Sequence, residues 1–530
     1  MPARSPTISP RAVEGNGEEA DASCGPPPST ATIEQRIHEH VASLVEFATR
    51  GSSGLVFHQF ETRLIPMLFA LGRLLVALFL ARRHEELAVP RSESINDERY
   101  ERRDARSREL GTFFGRVRYW RTYMYGQGGG YYPLDRALCL PPDGFSLHLV
   151  GLITLLATKM SYAQVTLVVH SFLGWSPSQT TVERSVLGLG QQTAAWFENA
   201  PVPENDGEVL IIQVDSKATP TATESELEKR RGKRRPNPAA DSPRHRARQR
   251  RFENASEERR TKGDKSKNGR AATLLVMYTL KRGHDRAGNP ILKGPINRRV
   301  YASYAPKRHA FAIARREADR RGFPKGSGKL VQIVTDGDRD FARYVRKFFP
   351  EARHTLDVMH ALEYVWTAGE CLFREGSEEL IAWIEDQKRH IYAGRPRAVL
   401  RELNERLAAI PKRGPGNKGK RTRLSKVIRY LDKRVRMMNY RELSEQDLEL
   451  SSGAVEGAVR YVIGQRFDCG GMRWIKERSE PLLQLRCIDV NGHWGDFIEF
   501  VLAKSACAPR RGMALQAATP RALPSLGVAA

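Results

Sequence analysis

The sequence has few cysteines and no leader-like start. Six cysteines occur in 530 residues, and they form neither a CxxC pair nor the spacing of a metal finger. We therefore expect neither a disulfide framework nor a zinc finger. The first thirty residues lack an apolar core, so they do not resemble a signal peptide. These features predict a cytoplasmic protein with reduced thiols.

Long apolar runs are also scarce. The most apolar one, residues 64–81, contains Pro66 and Arg73 and is shorter than a membrane span of about 20 residues. We interpret it as a buried helix and expect no membrane partner.

Acidic residues are outnumbered along the whole chain. Lysine and arginine total 86 against 61 aspartates and glutamates, which gives a net charge of +25. So large a surplus favours a polyanionic partner, with nucleic acid first; the alternative is a basic tail on an ordinary enzyme. The length allows several domains, and the hydrophobic share of 40% allows real cores.

Three segments lack the apolar residues that a core requires. Residues 1–30 are rich in Pro, Ser and Gly, and residues 505–530 form a similar tail. Residues 229–270 contain KRRGKRR and RHRARQRR, and we predict a disordered insert that can contact DNA phosphates. Between these segments, residues 31–108 are predicted to be helical and to end in a charged connector, 91–108.

Residues 109–206 are predicted to bind DNA through two features. A β segment at 111–126 interleaves aromatic residues with arginines, and residues 161–190 follow the layout of a helix-turn-helix with Ser176 or Ser178 as the cap of its second helix. Two packed helices joined by a glycine turn are the alternative for the second feature. The predicted DNA contacts here are Arg116, Arg118, Arg121, Ser178, Thr180 and Arg184.

From residue 207 onward, three predicted strands precede an alternation of helices and strands. This order predicts an α/β fold with a mixed sheet, and it is also the element order of a ribonuclease-H-like fold. We assign 207–366 and 451–504 to that catalytic domain and 367–450 to an all-helical insertion, which a basic, glycine-rich loop at 411–423 interrupts.

Two aspartates follow apolar strands, and one glutamate lies on a later helix. Asp215 ends VLIIQVD and Asp336 ends VQIVTD, so neighbouring strands would bring them together. Glu456 has an apolar stripe beside it that can pack its helix on the sheet. Oxygen ligands of this kind suit Mg²⁺ or Mn²⁺, and two such ions can activate a nucleophile and stabilise a leaving oxygen at phosphorus. Taken singly, each residue is more often a turn, cap or surface residue.

Three segments in this order resemble the DDE transposases of bacterial insertion sequences, in particular the Kra-type group, which is related to Mutator-like transposases. They are VDSK; TDGDRDF followed by LDVMHALEYVW; and AVEGAVRYVIGQRFDCGGMRW. The resemblance covers roughly 100–500 and implies Asp215, Asp336 and Glu456 as the catalytic, metal-binding triad. The 119 residues between Asp336 and Glu456 resemble the helical insertion of such families.

The resemblance also draws attention to residues around the triad. Asp357 and His360 form its Asp-x-x-His signature in a supporting role, although Asp357 competes with Asp336 as ligand. His360 can contact a DNA phosphate or orient Asp357, and it can equally be a buried, hydrogen-bonded structural histidine. Trp474 can stack on an unpaired base or anchor the core. Arg460 and Arg466 can bind phosphate or face solvent, and Arg473 belongs to the same group of predicted DNA contacts.

The predicted function is therefore an enzyme that binds the terminal inverted repeats of an insertion sequence, cuts the DNA and joins its ends to a target. Joining two ends implies a homo-oligomer on DNA. We expect the protein to lie in the cytoplasm of a bacterium and to be associated with its nucleoid. The alternatives are a ribonuclease-H-like nuclease or resolvase, and a transposase-derived DNA-binding protein without catalysis.

Overall fold

A computed structural model of the protein describes residues 28–95, 97–221, 269–468, 472 and 474–505. Apart from their borders, the three segments predicted to be disordered lie outside the described residues. The chain divides into two compact units, of which the first contains 28–149 with 171–175 and the second contains 150–170 with 176–504.

The first unit combines a helical pair with an antiparallel sheet. Ser29 caps the first helix by accepting a hydrogen bond from the Thr32 N–H at 3.2 Å. The sheet has the order β1-β2-β3-β4. Its elements are α1 (Thr30–Glu46), α2 (Phe57–Glu86), β1 (Ser92–Ile95), β2 (Glu98–Thr112), β3 (Gly115–Gly126), β4 (Gly129–Tyr131) and α3 (Pro133–Ala137).

The predicted connector at 91–108 is wrong, because this segment forms β1 and most of β2. The helical part of the predicted 31–108 region ends at Glu86. Backbone hydrogen bonds to β3 pair the strand along its length, from Glu101 opposite Tyr125 to Thr112 opposite Gly115. Most of its side chains are exposed, so the arginines carry no burial cost and their charge does not oppose the pairing.

The prediction that residues 64–81 form a buried helix is wrong in its burial. They lie within α2, in which only Gly72 and Leu80 are buried. Ile65, Leu68, Leu75 and Phe79 are each 43–50% exposed. By length and composition α2 could cross a membrane, but one such helix is weak evidence. The expectation of no membrane partner stays a prediction.

The second unit is built on a five-stranded mixed sheet. Four helices precede the sheet, and its strands have the order β7-β6-β5-β8-β9. Strands β5, β6 and β7 are antiparallel, whereas β5, β8 and β9 are parallel. The elements are α4 (Leu147–Lys159), α5 (Tyr162–Leu173), α6 (Gln179–Gly190), α7 (Thr193–Asn199), β5 (Val209–Pro220), β6 (Gly269–His284), β7 (Pro290–Ser303), α8 (Lys307–Arg320), β8 (Val331–Thr335), α9 (Arg339–Phe348) and β9 (Arg353–Leu356).

This order of elements confirms the predicted α/β class and mixed sheet. Apolar residues that alternate along β5, namely Leu210, Ile212 and Val214, contribute to one core cluster. Phe311 of α8 and Phe341 of α9 belong to the same cluster and are fully buried. The strands that carry the predicted aspartates are therefore anchored by a packed core on one side.

Residues 367–450, which we call the helical block, follow the sheet and are mostly helical, as predicted. The expected loop at 411–423 is wrong in its second half, because a helix begins at Asn417 after Gly416, whose positive φ of 75° ends the turn. The remaining helices are α10 (Val358–Leu372), α11 (Glu378–Tyr392), α12 (Pro396–Ala409), α13 (Asn417–Asp432), α14 (Tyr440–Glu445), α15 (Gly453–Ala458), α16 (Gln465–Phe467), α17 (Lys476–Val490) and α18 (Trp494–Ser505).

A buried ion pair fixes the entry to the sheet. Arg321, whose side chain is fully buried, donates Nε and Nη2 to the two carboxylate oxygens of Asp206 at 2.6 and 2.7 Å. Asn297 also donates to Asp206, at 3.2 Å. Burial alone would raise the pKa of Asp206, but the hydrogen bonds from Arg321 and Thr279 hold it below its usual value.

We expect Asp206→Ala to lower the free energy of unfolding by about 3 kcal/mol, because it leaves the Arg321 charge buried without a partner. The stabilisation by this carboxylate should be present above the unfolded-state pKa and lost as the pH falls through the lower folded-state pKa. Urea unfolding measures both effects. The control is Glu198→Ala, which breaks an exposed pair with Arg316 and should cost less than about 1 kcal/mol. Equal losses in the two variants would contradict the prediction.

Candidate metal centre

Three aspartates follow register-matched residues on three neighbouring parallel strands. Val214 pairs with Thr335, and Thr335 pairs with Leu356, so the next residue along the chain is in each case an aspartate. These are Asp215, Asp336 and Asp357. The predicted strand end at Asp215 is wrong, because β5 continues to Pro220 and only its parallel pairing with β8 stops before Asp215. The strands of Asp215 and Asp336 are neighbours, which is the condition under which the sequence analysis brings the two carboxylates together, and β9 brings Asp357 to the same edge.

A buried glutamine positions the helix that carries Glu456. Gln213 lies in β5, two residues before Asp215, and its Oε1 accepts a hydrogen bond from the Val455 N–H at 3.0 Å. Its Nε2 donates to the Ser451 carbonyl at 3.3 Å. Val455 belongs to this helix and is buried, as the predicted apolar stripe requires. The strand of the first aspartate and the helix of the glutamate are thus joined directly.

A second glutamine repeats this connection one strand away. Gln332 of β8 accepts from the Glu449 N–H at 3.0 Å and donates to the Glu449 carbonyl at 2.7 Å. The sequence analysis missed both glutamines. The available indication was their place as single amides inside the apolar strands VLIIQVD and VQIVTD, where a buried amide requires partners.

Asp357, His360 and Glu456 approach one another closely. One ligand atom from each lies within 4.8 Å of the other two. The Ser452 hydroxyl, also missed by the sequence analysis, donates to Asp357 Oδ2 and lies 3.3 Å from Glu456 Oε1. The His360 Nδ1 to Asp357 Oδ2 distance is 3.0 Å. This contact matches one of the alternatives for His360, namely that it orients Asp357.

The electrostatics show an excess of negative charge at this edge. Burial raises the pKa of Asp215, and the charges of Asp336 and Glu456 raise it further. Burial would also raise the pKa of Asp357, but hydrogen bonds from His360 and Ser452 keep it low. The hydrogen bond to Asp357 raises the pKa of His360 to about 9 against the effect of burial. A site of this kind favours a bound cation, and its carboxylate oxygens suit a hard one.

Two residues of the helical block fix the backbone that carries Asp336. The Tyr430 hydroxyl of α13 donates to the Asp336 carbonyl at 2.6 Å. Arg434 donates Nε and Nη2 to the Gly337 carbonyl at 2.8 and 2.5 Å. Gly337 has a φ of 78°, and a Cβ there would collide with Arg434 and Leu356. The Asp-Gly pair therefore serves both the turn and this contact.

Stacking fixes the two clamping side chains in turn. The Tyr430 ring lies 3.5 Å from that of Tyr364 between centroids, nearly parallel to it. The Arg434 guanidinium lies 3.8 Å from the centroid of the Tyr430 ring. Together with His360 and Asp338, these side chains line a cleft next to Asp336.

Two predicted DNA contacts prove to be packed inside the protein. Arg466 is 1% exposed, donates Nε to the Ala157 carbonyl at 2.8 Å and stacks on Trp474 at 4.7 Å. Arg121 has a side chain only 12% exposed, pairs with Asp135 and stacks on Tyr132 at 3.4 Å. Arg466 satisfies a backbone carbonyl and Arg121 neutralises the Asp135 carboxylate, so neither is placed to contact DNA.

The other predicted contacts divide by exposure. Trp474 packs against Phe467 at 5.0 Å between ring centroids, which favours the core-anchor alternative. Ser178 is the cap of α6 and accepts from the Thr181 N–H at 3.2 Å. One face of α6 packs against α17, and Arg478 of α17 pairs with Glu183 of α6 at 3.2 Å. The exposed members are Arg116, Arg118, Ser178, Thr180, Arg184 and Arg460, and Arg473 lies outside the described residues.

The chain was compared with known proteins. No protein-family model matches it, and no curated protein matches it either. Among solved structures, the Drosophila P element transposase strand transfer complex aligns with 68% of this chain and 96% of that chain, at 12% sequence identity and a TM-score of 0.28. A similarity this weak carries no argument about fold or function, so any functional proposal must rest on the site itself.

The pKa of His360 predicts a pH-dependent contribution to stability. In metal-free protein, the ion pair with Asp357 should stabilise the fold fully below about pH 6.5 and lose this effect as the pH rises through about 9. The measurement is the urea unfolding of wild type and His360→Gln at pH 6 and pH 10, where the difference should shrink at the higher pH. His170→Gln, at an exposed histidine, is the control. A difference that is the same at both values would contradict the ion pair.

The clamp on the Asp336 turn predicts an effect on metal affinity. Tyr430→Phe removes the hydrogen bond to the Asp336 carbonyl but keeps the aromatic stack, so stability should fall by about 1 kcal/mol. Calorimetric titration with Mn²⁺ should show binding several-fold weaker than in wild type. Tyr392→Phe, at an exposed tyrosine of α11, should leave both quantities unchanged. Wild-type Mn²⁺ affinity in Tyr430→Phe would show that the turn does not need this bond.

Proposed function

We propose that the chain is a DDE-type DNA transposase in which Asp215, Asp336 and Glu456 are the catalytic, metal-binding residues. The observation that supports the proposal is that the charges of Asp336 and Glu456 both act on Asp215, although the ligand atoms that lie within 4.8 Å of one another are those of Asp357, His360 and Glu456. Asp215 and Asp336 follow register-matched residues on adjacent strands, and Gln213 joins the strand of Asp215 to the helix of Glu456. All three residues were predicted from the sequence, and they occur along the chain in the order that the transposase resemblance implies.

The residues present fit a divalent metal site. The donors are carboxylate oxygens, and the mutual repulsion felt by Asp215 is the condition that a cation relieves. When bound, two Mg²⁺ or Mn²⁺ ions would activate a water or 3′-hydroxyl and stabilise the leaving oxygen at phosphorus. Asp357 has a supporting role in this proposal, because three hydrogen bonds from Ser452, His360 and Met359 already occupy its oxygens.

His360 and Ser452 act on the carboxylates themselves. The His360 imidazolium balances the charge of Asp357, and the Ser452 hydroxyl separates Asp357 from Glu456. The hydrogen bonds from His360 and Ser452 lower the pKa of Asp357 and so keep its carboxylate ionised. The reacting groups then need no separate protein nucleophile, since the acids serve as ligands.

The fold and the charge of the chain support the same proposal. The strand order is β7-β6-β5-β8-β9, in which β5, β6 and β7 are antiparallel and β8 and β9 are parallel to β5. This order fits a ribonuclease-H-like sheet with the helical block inserted before the glutamate. The net charge of +25 suits the DNA of transposon ends and target. The finer parts of the proposal are membership of the Kra-type group, a homo-oligomer on DNA, and action at the bacterial nucleoid.

The test is cleavage and strand transfer on a duplex that carries the terminal inverted repeats flanking the gene. With Mg²⁺, Asp215→Asn, Asp336→Asn and Glu456→Gln should each reduce product formation by on the order of 1000-fold, because each removes a ligand worth several kcal/mol in the transition state. Binding of the same duplex in EDTA should persist in all three variants. Gel assays of both reactions give the measurement.

The control for these variants is Asp386→Asn, which removes an exposed carboxylate of α11 without touching the site. Full activity in any one of the three site variants would remove that residue from the triad. Cleavage of branched junctions with no joining of ends would favour a resolvase, and binding without any metal-dependent cleavage would favour a non-catalytic DNA-binding protein.

A further inference from the structure

We propose that one exposed face of α13 is a binding surface for the phosphate backbone of duplex DNA, leading to the carboxylate site. The surface consists of Lys418, Lys426, Arg429 and Lys433, which we call the basic stripe. This inference rests on the proposed function, since it names where that substrate lies.

The four cations occupy one side of the helix. With 3.6 residues per turn they fall within an arc of about 80°, over a length of about 22 Å. All four are exposed. The buried residues of the helix, Leu424, Val427 and Leu431, lie on the opposite side. The helix is thus anchored by its apolar face, which leaves the basic stripe directed to solvent.

The stripe differs from an ordinary solvated helix of the same block. In α11 two cations on the solvent side pair with acids one turn away, the partly exposed Lys388 with Glu385 at 2.7 Å and the exposed Arg389 with Asp386 at 3.0 Å. Across the part of the chain that the structure describes, no ion pair involves a member of the stripe. The only acid within α13 is Asp432, at its end. A run of exposed cations without acidic partners creates a positive potential that favours a polyanion, because binding releases the small ions that surround both partners.

The position of the stripe identifies the polyanion. Tyr430 lies between Arg429 and Lys433 along the helix, and its hydroxyl is bonded to the Asp336 carbonyl. Arg434 follows Lys433 and is bonded to the Gly337 carbonyl. A polyanion along the stripe would therefore reach the turn that carries a catalytic carboxylate, and about 22 Å corresponds to roughly six nucleotide steps of one strand. Cations here also offset the repulsion between DNA and the acidic site.

The test measures DNA binding without chemistry. Full-length protein is titrated into a fluorescent 30-base-pair duplex in EDTA at several salt concentrations. In Lys426→Gln/Arg429→Gln/Lys433→Gln, the slope of log Kd against log salt should decrease by about 2.7, because each lost phosphate contact contributes about 0.9. The Kd in 0.1 M salt should rise about 10-fold or more.

The matched control is Arg395→Gln/Arg397→Gln/Arg401→Gln, which removes the same charge from exposed positions on and beside α12. The slope should stay near that of wild type in this variant. Equal slopes in the two triple variants, an unchanged slope in the stripe variant, or no binding by wild type would each overturn the surface. So would tighter binding of an RNA duplex with the same dependence on the stripe.

The proposal and the function on which it rests can fail separately. If the stripe variant binds like wild type while Asp215→Asn still abolishes cleavage, the surface is wrong and the transposase proposal stands. If the stripe variant loses binding but the wild type cuts no DNA with Mg²⁺, the surface stands and catalysis fails.

Discussion

The candidate site depends on a buried amide that bonds to a distant backbone. Gln213 is 1% exposed in the centre of an apolar strand, and both ends of its amide find partners in the segment before Glu456. A buried amide without partners would cost a few kcal/mol, so the strand and the segment are held in one relative position. Through Gln332, β8 imposes the same condition on Glu449. The geometry of the carboxylates follows from these two residues.

The helical block is inserted into the domain, and it also contributes to the geometry of the carboxylates. Its tyrosines donate to the carbonyls next to two of the aspartates, Tyr430 to Asp336 and Tyr440 to Leu356, which precedes Asp357. These bonds fix the backbone, so they do not themselves occupy the carboxylate oxygens of either aspartate. A change in how the block packs would therefore be felt at the site, and the block links the basic stripe to the acids through a single helix.

The sequence predicted features that depend on neighbouring residues and missed those that depend on distant ones. Asp336 was placed correctly directly after its strand, because an apolar run that stops at an acid is a local pattern. Asp215 was not, because β5 continues past it to Pro220 through its pairing with β6. The contact of Gln213 with Val455 spans 242 positions, and no local pattern contains it. The strand at 98–112 was missed because its charges hid a pairing that the backbone makes. The exposed face of α2 was missed because the composition of a helix shows that it is apolar but does not show which residues pack against it.

The pairing of Pro220 with Gly269 has a consequence for how the length of the chain between them can vary. These two residues lie opposite each other on adjacent strands. The distance between them is therefore fixed by the sheet and is independent of how many residues connect them. Because the entropy of closing a flexible loop grows by only about 0.6 kcal/mol for each doubling of its length, a change in the number of connecting residues should cost little. Natural variants should therefore differ most in length between these two strands, and this is the position at which a foreign domain could be grafted without moving an acid.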